Sequence, residues 1–188
     1  MALRLNITPA QQLPDLSASP LQLYQLNLFA NEILAYFESS RPEFLALATL
    51  QRACGCRINE LFQPFRWTPV SDYAIRIEPQ KGNAIRTLTT DELGFRDIAA
   101  MASVFADMER LPKTQYERCF ARAVADSGLW RLYESGFAHP SSHFFRHLKV
   151  KNLADENFSI EQIATYIGEK NTKNLDYYLN SQFYSEVR

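Results

Sequence analysis

The spacing of apolar residues changes period twice along this chain, and that change limits the possible folds more than any other feature of the sequence. From Pro20 the apolar positions Leu23, Leu26, Ala30, Ile33, Leu34 and Phe37 recur at three and four residues, the repeat of one helical face. Pro20 itself falls in the first turn, where a missing N–H costs least. A second helical pattern opens at Ser40-Arg41-Pro42, runs through Leu45, Leu47 and Leu50 to Leu61, and ends at Pro64, with Gly55 the awkward residue inside it. The period then drops to two. Tyr73 to Glu78 alternates, Pro79 to Asn83 has turn chemistry, and Ala84 to Leu88 alternates again, which predicts a hairpin with Lys81 at its tip. Helical spacing returns from Asp91 through Ile98, Met101, Val104, Phe105 and Met108, breaks at Pro112, and resumes from Tyr116 to Val124. Gly128, Gly136 and Pro140 mark a loop, after which Ser141-Ser142 can cap a helix carrying His143, Arg146 and His147. Ser159 with Gln162 makes a capping box for Ile160 to Ile167, and Asn171 or Thr172 can start the short segment bearing Tyr177 and Tyr178. The pattern predicts an α+β fold, mostly helical, with a small antiparallel β-hairpin or sheet at one edge.

A chain of 188 residues suits one ordinary domain with a real core. Residues 1–19, with Pro9 and Pro14 and no sustained period, read as a lead-in or linker, 20–180 as the domain, and 181–188 as a tail. A hydrophobic fraction of 46% with 22% charged residues is ordinary for a globular chain. Thirteen Phe and nine Tyr point to an aromatic helical core. The formal net charge of −1 argues against nucleic-acid binding through bulk charge and leaves only a locally basic face to serve it. Cys54, Cys56 and Cys119 make neither a disulfide framework nor a zinc site and read as small apolar packing residues. With no signal peptide and no apolar run of membrane length, the expected compartment is the cytoplasm.

Chemistry concentrates near the C-terminus. His143-Phe144-Phe145-Arg146-His147 is followed by Tyr178. Arginine offers phosphate oxygens a planar, permanently charged fork. Histidine passes protons near neutral pH, and a tyrosine hydroxyl becomes a nucleophile once its proton has somewhere to go. Phosphoryl transfer requires that set. Upstream, Arg57 and Glu60 are three apart on a helical pattern and therefore neighbours, so Glu60 either holds Arg57 in place or forms a simple surface pair with it.

Taken in order, Cys54-Gly55-Cys56-Arg57-Ile58-Asn59-Glu60-Leu61, Gln80-Lys81-Gly82, His143-Phe144-Phe145-Arg146, Ile167-Gly168-Glu169-Lys170 and Tyr178 resemble the tyrosine recombinases, the family of phage integrases and Xer-type recombinases. The resemblance runs from about Arg41 to Tyr178 and covers the family's catalytic domain. Without room for the helical core-binding domain that usually precedes it, the chain reads either as a minimal recombinase or as an excised catalytic domain whose first residues belong to the interdomain linker. The resemblance implies site-specific cutting and rejoining of duplex DNA through a 3′-phosphotyrosyl intermediate, as in DNA integration or recombination of a mobile genetic element. No metal and no cofactor are implied, and the protein would assemble with itself on DNA. Tyr178 would be the nucleophile, Arg57 and Arg146 the phosphate ligands, Lys81 the proton donor to the leaving 5′ oxygen, and His143 the proton carrier at the tyrosine. The family's nine-residue step to its tyrosine, counted here from Glu169, implies Tyr178 rather than Tyr177.

Glu169 departs from the pattern, since the family usually has a histidine there. A carboxylate beside a phosphodiester is electrostatically adverse unless it is protonated, turned away or paired with a cation, for which Lys170 is the adjacent candidate. Alternatives are a catalytically impaired DNA-binding protein of the same fold, a type IB topoisomerase-like enzyme, and an unrelated helical interaction domain. Asn157 to Leu179 also reads as a helix-turn-helix.

Overall fold

In the computed structural model, residues 23–79, 83–127, 143–173 and 175 are described. Helix α1 (Leu23–Ser40) buries Leu26, Phe29, Ala30, Ile33 and Phe37, the face that the spacing marks. Helix α2 (Leu45–Cys54) lies against it and buries Leu47, Ala48, Leu50, Gln51 and Cys54. The helical pattern does not run unbroken to Leu61. Gly55 turns left-handed at φ 60°, its N–H closes on the Gln51 carbonyl, and the chain restarts from an extended Arg57 into the single turn α3 (Ile58–Leu61). Glycine reaches that conformation without a Cβ penalty, so it terminates the helix rather than merely weakening it.

Pro64–Arg66 form a 3₁₀ turn leading into β1 (Trp67–Ser71), β2 (Ala74–Ile77) and β3 (Arg86–Thr89). They make one antiparallel sheet in the order β1-β2-β3, so the expected hairpin gains a third strand. Register pairs Ile75 with Leu88 and Ile77 with Arg86, and all four side chains are buried. The turn residues 80–82, including Lys81, lie outside the described residues.

The helix expected from Asp91 starts later. Thr89 donates its backbone N–H and its hydroxyl to the Glu92 carboxylate, and Gly94 takes φ 80°. Such side-chain bonds give the backbone an alternative to helix. The chain becomes helical only with a 3₁₀ turn at Ala99–Met101 and α4 (Ala102–Arg110). Helix α5 (Lys113–Ser127) follows Pro112, and α6 (His143–Asp155) buries Phe144, Phe145, Arg146, Leu148, Val150 and Leu153. Helix α7 (Ile160–Ile167) carries the expected cap, with Ser159 N–H donating to Gln162 Oε1 and Gln162 N–H to Ser159 Oγ. The loop at Gly128, Gly136 and Pro140, the Ser141-Ser142 cap, both C-terminal tyrosines and the tail lie outside the described residues. So does most of the second helix that a helix-turn-helix would need.

The aromatic residues form the core between α1, α2 and α5. The Phe37 ring stacks on Tyr116 with centroids 5.5 Å apart, and Phe44, Phe62 and Phe120 surround the same tyrosine. Tyr116 donates its hydroxyl to Gln51 Oε1 at 2.7 Å, and Gln51 Nε2 donates to the Cys56 carbonyl at 3.3 Å. The core thereby fixes the turn that presents Arg57. A second cluster, Val150, Leu153, Ile163, Ala164, Ile167 and Leu175, joins α6 to α7, and α7 also packs on β3. Among the described residues no helix is long and apolar enough to cross a membrane.

Candidate active site

Arg57 owes its position to the break at Gly55. As the residue before α3, it donates its backbone N–H to Glu60 Oε2 at 3.0 Å, and its Nη1 lies 3.6 Å from Glu60 Oε1. The carboxylate half of a capping box therefore anchors the arginine backbone while its side chain stays 24% exposed. That Nη1 is buried and has no hydrogen-bond partner among the described residues.

Glu60 is itself held. The Arg86 guanidinium donates to Glu60 Oε2 at 3.1 Å, both side chains being 2% exposed, and Trp67 Nε1 donates to the Glu60 carbonyl at 2.8 Å. Sequence reasoning passes over Arg86. The available signal is its place on β3: alternation puts it on the same face as Leu88, and a cation on a buried face needs a buried acid.

Arg146 is fully buried one turn into α6. Its Nη1 donates to the Gly55 and Ile167 carbonyls, each at 3.0 Å. These oxygens stand at the C-terminal ends of α2 and α7, the negative ends of two helices, which suits a buried cation. Both helices end on a left-handed glycine, Gly55 at φ 60° and Gly168 at φ 70°. Each glycine is also tightly packed. A Cβ on Gly55 would stand 3.0 Å from the Lys149 Cβ, and one on Gly168 would stand 2.9 Å from the Ala84 carbonyl oxygen.

Glu169 joins the two arginines. Its Oε2 accepts from Arg57 Nη2 at 2.6 Å and from Arg146 Nη2 at 3.2 Å. The expected Lys170 partner is not the one found: Lys170 is exposed, and Glu169 is paired across the fold instead. Its turn is pinned to the segment leading into β3 by Ala84 N–H donating to the Gly168 carbonyl at 3.1 Å, three residues beyond Lys81. The cluster holds three guanidiniums (Arg57, Arg86, Arg146) against two carboxylates (Glu60, Glu169), leaving one net positive charge.

His143 opens α6 one turn before Arg146. Its side chain is exposed, but the protein packed beneath it lowers its pKa from 6.5, helped by Arg146 and Arg57 and opposed by Glu60. The neutral ring, able to accept a proton, therefore predominates at pH 7. Burial, then His143 and Arg146, brings His147 down to about 4. The structure thus gathers Arg57, Glu60, His143, Arg146 and Glu169 at one place, while Lys81 and Tyr178 lie outside the described residues. Among the described residues no three His, Cys, Asp or Glu side chains form a group able to hold a metal ion.

This is the fold of tyrosine recombinase catalytic domains, mostly helical with a three-stranded antiparallel sheet. A lambda integrase dimer bound to a COC′ core site superposes with a TM-score of 0.62 at 19% identity, over 90% of this chain and 51% of that one. XerA recombinase gives 0.58 at 14% identity, over 85% and 59%. XerH site-specific recombinase bound to palindromic difH substrate gives 0.56 at 13%, over 92% and 51%. The chain thus spans between 51% and 59% of the length of these three proteins. No family model and no curated protein matches the sequence.

Proposed function

We propose that this chain is a tyrosine-type DNA strand transferase, a site-specific recombinase or integrase acting on duplex DNA, with residues 20–180 as its catalytic domain. One observation carries the reading: Arg57 and Arg146, far apart in sequence, converge within 3.2 Å of a single oxyanion, inside a recombinase catalytic fold. A phosphodiester needs such a paired cationic site for the charge that grows on its non-bridging oxygens.

In the reaction, the Tyr178 oxygen bonds to phosphorus and the bond to the 5′ oxygen breaks. His143, neutral at pH 7, takes the tyrosine proton, and Lys81 supplies one to the departing 5′ oxygen. The phosphotyrosyl bond keeps the energy for resealing, so neither nucleotide nor metal is required, and cleavage should persist in excess chelator. Glu60 and Arg86 act as positioning residues for Arg57. Assembly on DNA would bring two such sites together, as integration or recombination of a mobile element requires.

A second reading draws on Glu169. An acid already seated between the two arginines suits a DNA-binding protein of this fold that no longer cleaves. Trapping on nicked duplex DNA decides between them. The first reading expects a covalent adduct that Tyr178→Phe abolishes and Tyr177→Phe leaves. Binding without an adduct would support the second, and an adduct surviving in the Tyr178 variant would move the nucleophile elsewhere.

A further inference from the structure

We infer that Glu169 is a built-in competitor of the substrate phosphate, a carboxylate that closes the arginine pair in the DNA-free protein and must be displaced before a phosphodiester can reach Arg146. The inference rests on the proposed function only in taking the displacing anion to be a DNA phosphate. Its basis is the limited reach of Arg146. That side chain is fully buried, and its Nη1 is committed to the Gly55 and Ile167 carbonyls. The Nη2 edge is where it meets an anion, and the oxygen there is Glu169 Oε2 at 3.2 Å. The same oxygen takes Arg57 Nη2 at 2.6 Å, so one atom of the protein fills the position between both forks. An incoming oxygen that touches both arginines has to stand where that atom stands.

Arg57 offers the way in. It is the partly exposed member of the pair, and its buried Nη1 has no hydrogen-bond partner among the described residues. A phosphate can meet the exposed part of that side chain first and then take Oε2's place. Glu169 has only its side-chain torsions to change, because its turn is held by the bond from Ala84 N–H to the Gly168 carbonyl. With the acid gone from the pair, the cluster's charge rises from one net positive to two, which favours the entering anion.

The test measures thermal midpoints in inorganic phosphate at constant ionic strength, on wild type, Glu169→Gln, Glu169→Asp, the double variant Arg57→Ala/Glu169→Gln, and Lys170→Gln as the exposed control. Removing the acid uncovers two cations, so Glu169→Gln should melt lower without phosphate and gain about 4 °C or more with it. Wild type and Lys170→Gln should gain about 1 °C or less on the same basis. The double variant should lose most of the gain. Glu169→Asp keeps the charge that holds the fold but withdraws the oxygen, so it must also respond more than wild type. Equal responses in wild type and Glu169→Asp would overturn the inference whether or not the glutamine variant folds. A gain that survives in the double variant would overturn it too. Covalent trapping fails separately. Phosphate responses as expected with no adduct from any variant would remove strand transfer and keep the competitor. A Tyr178 adduct with no phosphate response would remove only the role of Glu169.

Discussion

A buried arginine on a β-strand is tolerable only if an acid is buried with it, and Arg86 and Glu60 are such a pair. Glu60 also receives the Arg57 backbone N–H, so the pair links the strength of the sheet edge to the aim of the Arg57 side chain. Arg86→Met should cost roughly 3–5 kcal/mol, because it leaves a buried carboxylate facing one cation fewer. Glu60→Gln should cost a similar amount. The double variant should cost less than the sum, so a double-mutant cycle by urea unfolding should return a coupling of about 1 kcal/mol or more, and additivity would mean that the pair is not a unit. His147, close enough to feel the Arg146 charge, adds a pH dependence to stability. Its folded pKa of about 4 lies below the ordinary 6.5, so the unfolded chain takes up the proton first as the solution is acidified. Stability is then lost as pH falls from 6.5 towards 4, by at most roughly 3 kcal/mol, and His143 shifts in the same sense. Urea midpoints of wild type and His147→Gln should diverge across that window, with the variant less sensitive to acid. Parallel curves would show that His147 protonates as freely folded as unfolded.

Two helix ends make the site, and each depends on a glycine. Because α2 stops at Gly55 and α7 at Gly168, the carbonyls of Gly55 and Ile167 are left to receive Arg146. Gly55→Ala should therefore cost about 1–2 kcal/mol from the left-handed backbone alone, more if Lys149 cannot yield at 3.0 Å. It should also slow strand cleavage by more than it slows DNA binding, since binding does not need Arg146 aligned to a reacting oxygen. An alanine variant with wild-type stability and cleavage would separate the turn from the site. The same elements mark what sequence reading reaches. Helical and alternating periods located α1, α5, α7 and the β2–β3 pair, because those patterns record which face meets the core. The break at Gly55 and the late start of α4 escaped it. Apolar spacing continues across both, and what decides there is local: a left-handed turn in one, Thr89 bonded to Glu92 in the other. Arg57, His143 and Arg146 stand in the sequence as residue types in register, and the structure brings them together, but the meeting of Arg57 with Glu169 is tertiary, and no local spacing encodes it.

For the molecule as a whole, the difficulty is a net charge of −1 in a protein proposed to hold a polyanion. Binding can succeed only if the positive field is confined to the face that meets DNA, so few phosphates are neutralised and each counts. The buried cluster contributes one net positive charge at its centre, and the partly exposed Arg57 is its outward member. Counterion release makes this measurable, because the slope of log K against log salt follows the number of phosphates contacted, at about 0.9 per contact for duplex DNA. Arg57→Ala should reduce that slope by about one and weaken binding to all sequences alike, the mark of a phosphate contact. The same substitution should slow cleavage by roughly 10² or more, since it also removes a pre-organised donor from the developing oxyanion. Titrations of a duplex between about 50 and 200 mM potassium chloride supply the slope, and single-turnover trapping supplies the rate. A slope that does not change while the rate collapses would mean that Arg57 acts in the chemistry without gripping the ground-state phosphate. A slope and rate both unchanged would remove it from the site.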